Sequence, residues 1–172
     1  MGDRETVLAR GRFLELVTAG EKGWEYARRV RGGSPVGIVA VTEEGEMVLI
    51  TQYRVPVEAV VIEIPAGLVG DEDADEAWET AARRELLEET GYACAGIEEL
   101  MIGPTSAGLT SELIRLVQAT GLRKVGEATG DGEEKITVHL VKVPEVRAWL
   151  REGVRRGMLV DPKVYAGLWF VK

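Results

Sequence analysis

The sequence predicts an α/β fold: an α/β/α sandwich with a mixed sheet, preceded by an N-terminal antiparallel β unit. Short apolar runs suited to strands alternate irregularly with helical patterns, which points to a mixed sheet covered by helices. One long stretch, residues 76–92, reads as a helix rich in good helix formers. With 172 residues, 45% hydrophobic and 29% charged, the chain can build one ordinary domain with a real core.

Residues 4–31 are expected to form a two-stranded hairpin. Residues 12–17 and 24–30 are its strands, and Glu21-Lys22-Gly23 is its turn. Period-two alternation puts Trp24 and Tyr26 on one face, where they either pack or offer a base a stacking platform. Gly32-Gly33-Ser34-Pro35 then breaks the chain. We therefore expect an N-terminal β unit over residues 1–33 and a main domain over residues 34–172.

Residues 36–41 and 47–52 are expected as strands about a turn at residues 42–45. Arg54 follows at a strand end, either solvated or serving as a two-pronged phosphate ligand. Residues 57–64 form the next strand and run into Pro65-Ala66-Gly67, a turn whose backbone carbonyls are candidate metal ligands. Beyond the long helix, residues 96–103 and 112–120 are strands flanking a polar turn at 104–111. Residues 121–134 form a loop rich in glycine and acid, too long to be idle. His139, the sole histidine, sits in a strand at 135–143 and reads as an ordinary strand residue rather than a catalytic one. Residues 144–152 read as a helix opened by proline. Asp161-Pro162 opens a last apolar helix through Val171.

The helix at 76–92, EAWETAARRELLEETGY, carries the chemistry. Gly91 suits the left-handed position that ends a helix. Asp73 and Glu76 have the spacing of a capping box. Glu85, Glu88 and Glu89 lie at i, i+3 and i+4 and share a face. Like charges so spaced cost about 0.2–0.5 kcal/mol per pair, and the negative end of the helix dipole adds to the penalty. A solvated acidic face is the plain account. The helical wheel opposes it: at about 100° per residue, Glu85 and Glu89 continue the stripe of Trp78, Ala81 and Ala82. Carboxylates on an inward face need cations or donors, and clustered carboxylates suit Mg²⁺, with Mn²⁺ as the alternative.

This run resembles the Nudix box, G-x5-E-x7-R-E-U-x-E-E-x-G-U, where U is bulky and apolar. Gly70, Glu76, Arg84, Glu85, Leu86, Glu88, Glu89, Gly91 and Tyr92 occupy its fixed positions. In the relatives the chain most resembles, the first box glycine is the one in a Pro-Ala-Gly turn. That turn is Pro65-Ala66-Gly67 here, so either Gly67 or Gly70 fills the position. Outside the box, the N-terminal hairpin, Gln52-Tyr53-Arg54, Glu63-Ile64-Pro65-Ala66-Gly67 and the final strand and helices resemble the ADP-ribose pyrophosphatase branch.

The resemblance implies an α/β/α sandwich that hydrolyses a nucleoside diphosphate sugar with Mg²⁺. It implies Glu85, Glu88, Glu89 and the Ala66 carbonyl as metal ligands. Arg84, paired with Glu76, would orient the box, and Glu88 and Arg84 count among the catalytic residues. Glu133 or Glu134 would be the base. It also implies a homodimer that exchanges the N-terminal unit, so that both chains build the nucleoside site; Trp24 and Arg54, read above as a stacking platform and a phosphate ligand, are the expected substrate contacts. One departure bears on the substrate. Ala107 stands where that branch has a loop proline, so this substrate-binding loop is expected to hold more than one conformation. The alternatives are hydrolysis of GDP-mannose, other ADP-sugars or dinucleotides, or a fold that senses a nucleotide sugar without cleaving it.

Charge and composition exclude other classes. A formal net charge of −8 disfavours a nucleic-acid backbone. It does not exclude a diphosphate, because bound divalent cations reverse the local sign. No apolar run approaches the length of a membrane span. The first ten residues lack the apolar centre of a signal peptide. Cys94 is the sole cysteine, so no intrachain disulfide forms, and a packed thiol in a reducing cytoplasm is expected.

Overall fold

The computed structural model describes residues 5–31, 33–70, 73, 75–128 and 135–171. The N-terminal unit is an antiparallel sheet of β1 (Thr6–Arg10), β2 (Leu14–Ala19) and β3 (Trp24–Arg29), in that order. It has one strand more than the expected hairpin. All five residues of β1 are exposed, so no alternation of buried positions marked it in the sequence.

The main body begins with β4 (Pro35–Ala40) and β5 (Glu46–Arg54), followed by a 3-10 turn, Val55–Val57. Next come β6 (Ala59–Glu63) and β7 (Ala66–Leu68). The Pro-Ala-Gly turn is thus the start of a short strand, held antiparallel against β4. After α1 (Trp78–Thr90) the chain forms β8 (Tyr92–Ala93), β9 (Gly96–Pro104), β10 (Leu113–Thr120) and β11 (Arg123–Lys124). β11 pairs with β8, so the expected loop at 121–134 starts with a strand; its residues 129–134 lie outside the described ones. β12 (Thr137–Lys142), α2 (Val146–Arg155), β13 (Leu159–Val160) and α3 (Pro162–Phe170) complete the chain. Pro144 belongs to a 3-10 turn, Val143–Glu145, and α2 begins after it.

Two four-stranded sheets make the central layer, with orders β7-β4-β10-β9 and β12-β5-β6-β13. The pairs β4–β10 and β6–β13 are parallel and the rest antiparallel, so both sheets are mixed. Alternation along β4 explains the layers. Val36, Ile38 and Ala40 join the cluster under α1, and Val39 joins the one under α2 and α3. β5 divides likewise, Val48 one way and Met47 and Leu49 the other. Ala81, Ala82 and Leu86 bury the inner face of α1, while Val146, Leu150 and Val164 bury those of α2 and α3. The result is the expected α/β/α sandwich. Truncating a fully buried residue such as Leu86 to alanine costs about 2–5 kcal/mol.

α1 stops at Gly91, whose φ is 71° and whose N–H donates to the Leu87 carbonyl at 2.7 Å. Its start differs from the expected capping box. Ala77 is the N-cap and makes no side-chain cap bond. Asp73 instead accepts from the Asp75 N–H, and the Glu76 carboxylate is engaged elsewhere. α3 opens as expected: the Asp161 carboxylate accepts the Lys163 N–H at 2.8 Å, ahead of Pro162 in the first turn. His139 is a residue of β12, with Nε2 2.9 Å from Thr51 Oγ1 and its ring 5.0 Å from that of Trp149. Among the described residues, no helix is long and apolar enough to cross a membrane.

Candidate active site

The inner stripe of α1 carries its acids to the end of β7. Glu89 is buried at 6% exposure and its carboxylate accepts the Ala66 N–H at 2.9 Å. Ala66 lies opposite Gly37 of β4, yet spends its N–H on Glu89. A residue of an antiparallel ladder turns N–H and carbonyl to the same edge. The Ala66 carbonyl therefore faces the side from which α1 presents Glu89.

Glycines 67 and 70 divide the work between which the sequence left a choice. At Gly67 an added Cβ would lie 1.9 Å from Glu85 Cδ, so only glycine lets this carboxylate approach β7. Gly70 has a φ of 76°, and its N–H donates to Glu76 Oε2 at 3.2 Å. The first is a demand of space, the second of backbone conformation.

Arg84 ties the acids together. Its Nε and Nη2 donate to the two oxygens of Glu76 at 3.1 and 3.2 Å. Its Nη1 donates to Glu85 at 2.8 Å and to Glu88 at 3.2 Å, and Nη2 also reaches the Leu68 carbonyl at 3.3 Å. The guanidinium is held charged above its ordinary range, chiefly by Glu76. In return the Arg84 hydrogen bonds draw the Glu76 carboxyl below its usual range. Burial pushes Glu85 the other way, upward, and Arg84 only partly opposes it.

Glu85, Glu88 and Glu89 line one cleft of about 770 Å³ together with Ala66 and Gly67. Arg54 lines it too. Its Nε and Nη2 grip the two oxygens of Glu63 at 2.7 Å each, so this arginine is fixed rather than loosely solvated. Four other charged residues went unnoticed as contributors in the sequence. Arg29 and Glu112 pair at 2.7 Å across 83 residues, and Lys163 pairs with Asp161. Only the fold joins these positions. The proline after Asp161 was the local sign that the cap existed.

Two expected substrate residues are not brought to this cleft. Trp24 is 64% exposed and stands outside its lining. Ala107 is exposed and also lies outside it, although Thr105 and Glu112 at the ends of its loop belong to it. The loop is fastened in spite of lacking a proline. Ala27 of β3 donates to the Leu109 carbonyl at 2.8 Å and accepts from the Ser111 N–H at 3.2 Å, and the Arg29–Glu112 pair closes it. Backbone bonds to the N-terminal sheet thus hold the loop at Leu109 and Ser111, on either side of Thr110. Glu133 and Glu134 lie outside the described residues.

Among the described residues, no three carboxylate, imidazole or thiolate groups are gathered in a preformed metal site. Glu85 and Glu88 are turned onto Arg84, and Glu89 onto Ala66 N–H. The donor chemistry nevertheless fits a hard divalent cation, with three carboxylates and a backbone carbonyl in one cleft.

The NUDIX domain model matches residues 33–159. The chain is 37% identical over 124 residues to the methanol dehydrogenase activator of Bacillus methanolicus, covering 72% of this chain and 65% of that protein. It is 35% identical over 98 residues to an ADP-ribose pyrophosphatase of Bacillus subtilis, covering 57% of this chain and 51% of that one. The chain thus spans 51–65% of the length of these relatives. The crystal structure of an ADP compounds hydrolase matches 86% of this chain and 84% of that one with a TM-score of 0.67. At 20% identity, that likeness concerns the fold.

Proposed function

The chain belongs to the Nudix family, and on that premise we propose that it hydrolyses the diphosphate bond of a nucleoside diphosphate sugar. ADP-ribose is the proposed substrate, and AMP and ribose 5-phosphate are the products. The observation that carries this reading is the cleft: Glu85, Glu88 and Glu89 share one space with Arg29, Arg54 and Lys163. Its volume, about 770 Å³, lies within the range of small-molecule sites. An acidic patch for the metal beside fixed cations for phosphate is what a metal-bound diphosphate requires.

Mg²⁺ held by Glu85, Glu88, Glu89 and the Ala66 carbonyl would neutralise the diphosphate oxygens and acidify a water, with Mn²⁺ as the alternative ion. The chain's own residues do the rest. Glu76 anchors Arg84, and Arg84 sets the carboxylates of Glu85 and Glu88. The Ala66 N–H orients Glu89. Arg54, braced by Glu63, offers a planar donor set to a phosphate. Glu133 or Glu134, from the segment before β12, takes the proton of the attacking water.

The same reading includes a homodimer. Leu8, Phe13, Leu14 and Leu16 of the N-terminal unit are 40–68% exposed, apolar area that a second copy would cover. Trp24 would then reach the nucleoside site of the partner rather than of its own chain. A reducing cytoplasm is the proposed location, supported by the free Cys94. The test is AMP release from ADP-ribose, other ADP-sugars and dinucleotides, and GMP release from GDP-mannose, at equal Mg²⁺ and pH. Tight binding of ADP-ribose without cleavage would identify a sensor. Cleavage of GDP-mannose alone would reassign the substrate and leave the chemistry in place.

A further inference from the structure

Among the described residues, three opposite-charge pairs line the cleft: Arg29 with Glu112, Arg54 with Glu63, and Lys163 with Asp161. The first fastens a loop to β3. The second braces an arginine. The third has no evident task in holding the fold. Lys163 lies in the first turn of α3, where the positive end of the helix dipole disfavours a cation. The cap itself needs only the Asp161 carboxylate and the Lys163 N–H. An ammonium adds nothing to that bond, yet this one is kept beside the cleft, with a side chain 25% exposed.

Its place in the sheet says what it is near. β13 runs parallel to β6, with Val160 opposite Ile62, and the Asp161 N–H donates to the Ile62 carbonyl at 2.9 Å. The next residue of β6 is Glu63, the brace of Arg54. Arg54 belongs to β5, on the other side of β6. Lys163, at the start of the helix that follows β13, and Arg54 of β5 thus come from opposite flanks of β6, and both border the space that holds the α1 acids.

We propose that Lys163 is a substrate-binding residue whose ammonium takes a non-bridging oxygen of the diphosphate, across β6 from Arg54. Lysine binds phosphate as a point charge, where arginine binds with two prongs. Asp161 is its positioning residue: it caps α3 and holds the ammonium at the cleft. The inference rests on the reading of a nucleoside diphosphate substrate.

The test is calorimetric titration of ADP and of adenosine into the wild type and into Lys163→Met and Lys163→Arg, with KM and Tm measured in parallel. Lys163→Met keeps the apolar stem and removes the charge. It should weaken ADP binding about tenfold to a hundredfold, the range for a hydrogen bond to a charged group. Adenosine affinity and Tm should stay unchanged, KM should rise more than kcat falls, and Lys163→Arg should recover most of the loss. Unchanged ADP affinity in Lys163→Met, against clear wild-type binding, would overturn the assignment and leave the pair as part of a cap. An equal loss for ADP and adenosine would overturn it too, as general damage. A wild type that binds no ADP would overturn the functional reading, and this inference with it.

Discussion

Helix α1 and the N-terminal sheet border the same cleft but bury themselves in opposite ways. α1 sets Ala81, Ala82 and Leu86 into the core, and its buried acids find partners within the chain, at Arg84 and at Ala66. In the N-terminal sheet, β2 buries Val17 and Glu15, while Val7, Leu8, Leu14, Leu16 and Trp24 stay exposed. Even its buried charge is settled at a rim: Glu15 accepts Arg28 at 2.6 and 2.8 Å. The difference teaches that the half of the proposed site on α1 has its hydrogen-bond partners complete within one chain, while the half proposed for the N-terminal sheet rests on side chains left exposed.

The largest effect should come from breaking the complete half. Glu89→Gln removes a charge but keeps an oxygen able to accept the Ala66 N–H, so the fold should hold. We expect kcat to fall about a hundredfold or more at limiting Mg²⁺. Near-normal turnover would sink the metal assignment.

Gly67→Ala follows. Its Cβ would overlap the Glu85 carboxylate, with an overpacking cost of about 1–3 kcal/mol and turnover lowered roughly tenfold or more. Gly108→Ala, with nothing within 4 Å of the new Cβ, is the paired control and should change neither. Equal stability and rate for both variants would mean that Glu85 moves aside freely.

The exposed half should respond in assembly and KM rather than in kcat. Light scattering at micromolar concentration should give a dimer for the wild type and a monomer for the double variant Phe13→Asp, Leu16→Asp. Trp24→Ala should raise KM about tenfold, in line with roughly 1–3 kcal/mol for base stacking, and change kcat less. A monomeric wild type with full activity would show that the apolar surface serves something else.

The smallest effect touches neither half. Burial lowers the pKa of His139 in the folded state, so the unfolded chain binds this proton more readily. The stability linked to His139 is complete above the ordinary value of 6.5 and is lost as pH falls below it, toward the lowered folded-state value. Denaturant midpoints between pH 7 and 5 should show this loss, reduced in His139→Gln. A slope unchanged by that substitution would place the proton elsewhere.

The sequence by itself determined α1, its stop at Gly91 and the shared face of its acids. These depend on spacings of three and four residues, which helix geometry sets wherever the helix packs. It determined the layers as well, because the alternation of Val36, Ile38 and Ala40 with Val39 is a property of any strand. The tertiary structure alone decided what those acids meet. That Glu76 serves Arg84 and not the helix end depends on where the chain at Gly70 returns. That Gly67 yields space to Glu85 depends on how closely β7 passes α1. Arg29 met Glu112, and Lys163 came to the cleft of Arg54, only when segments distant in the sequence were folded against one another. β1 was illegible for a related reason: its residues are exposed on this chain, so burial left no period in them to read.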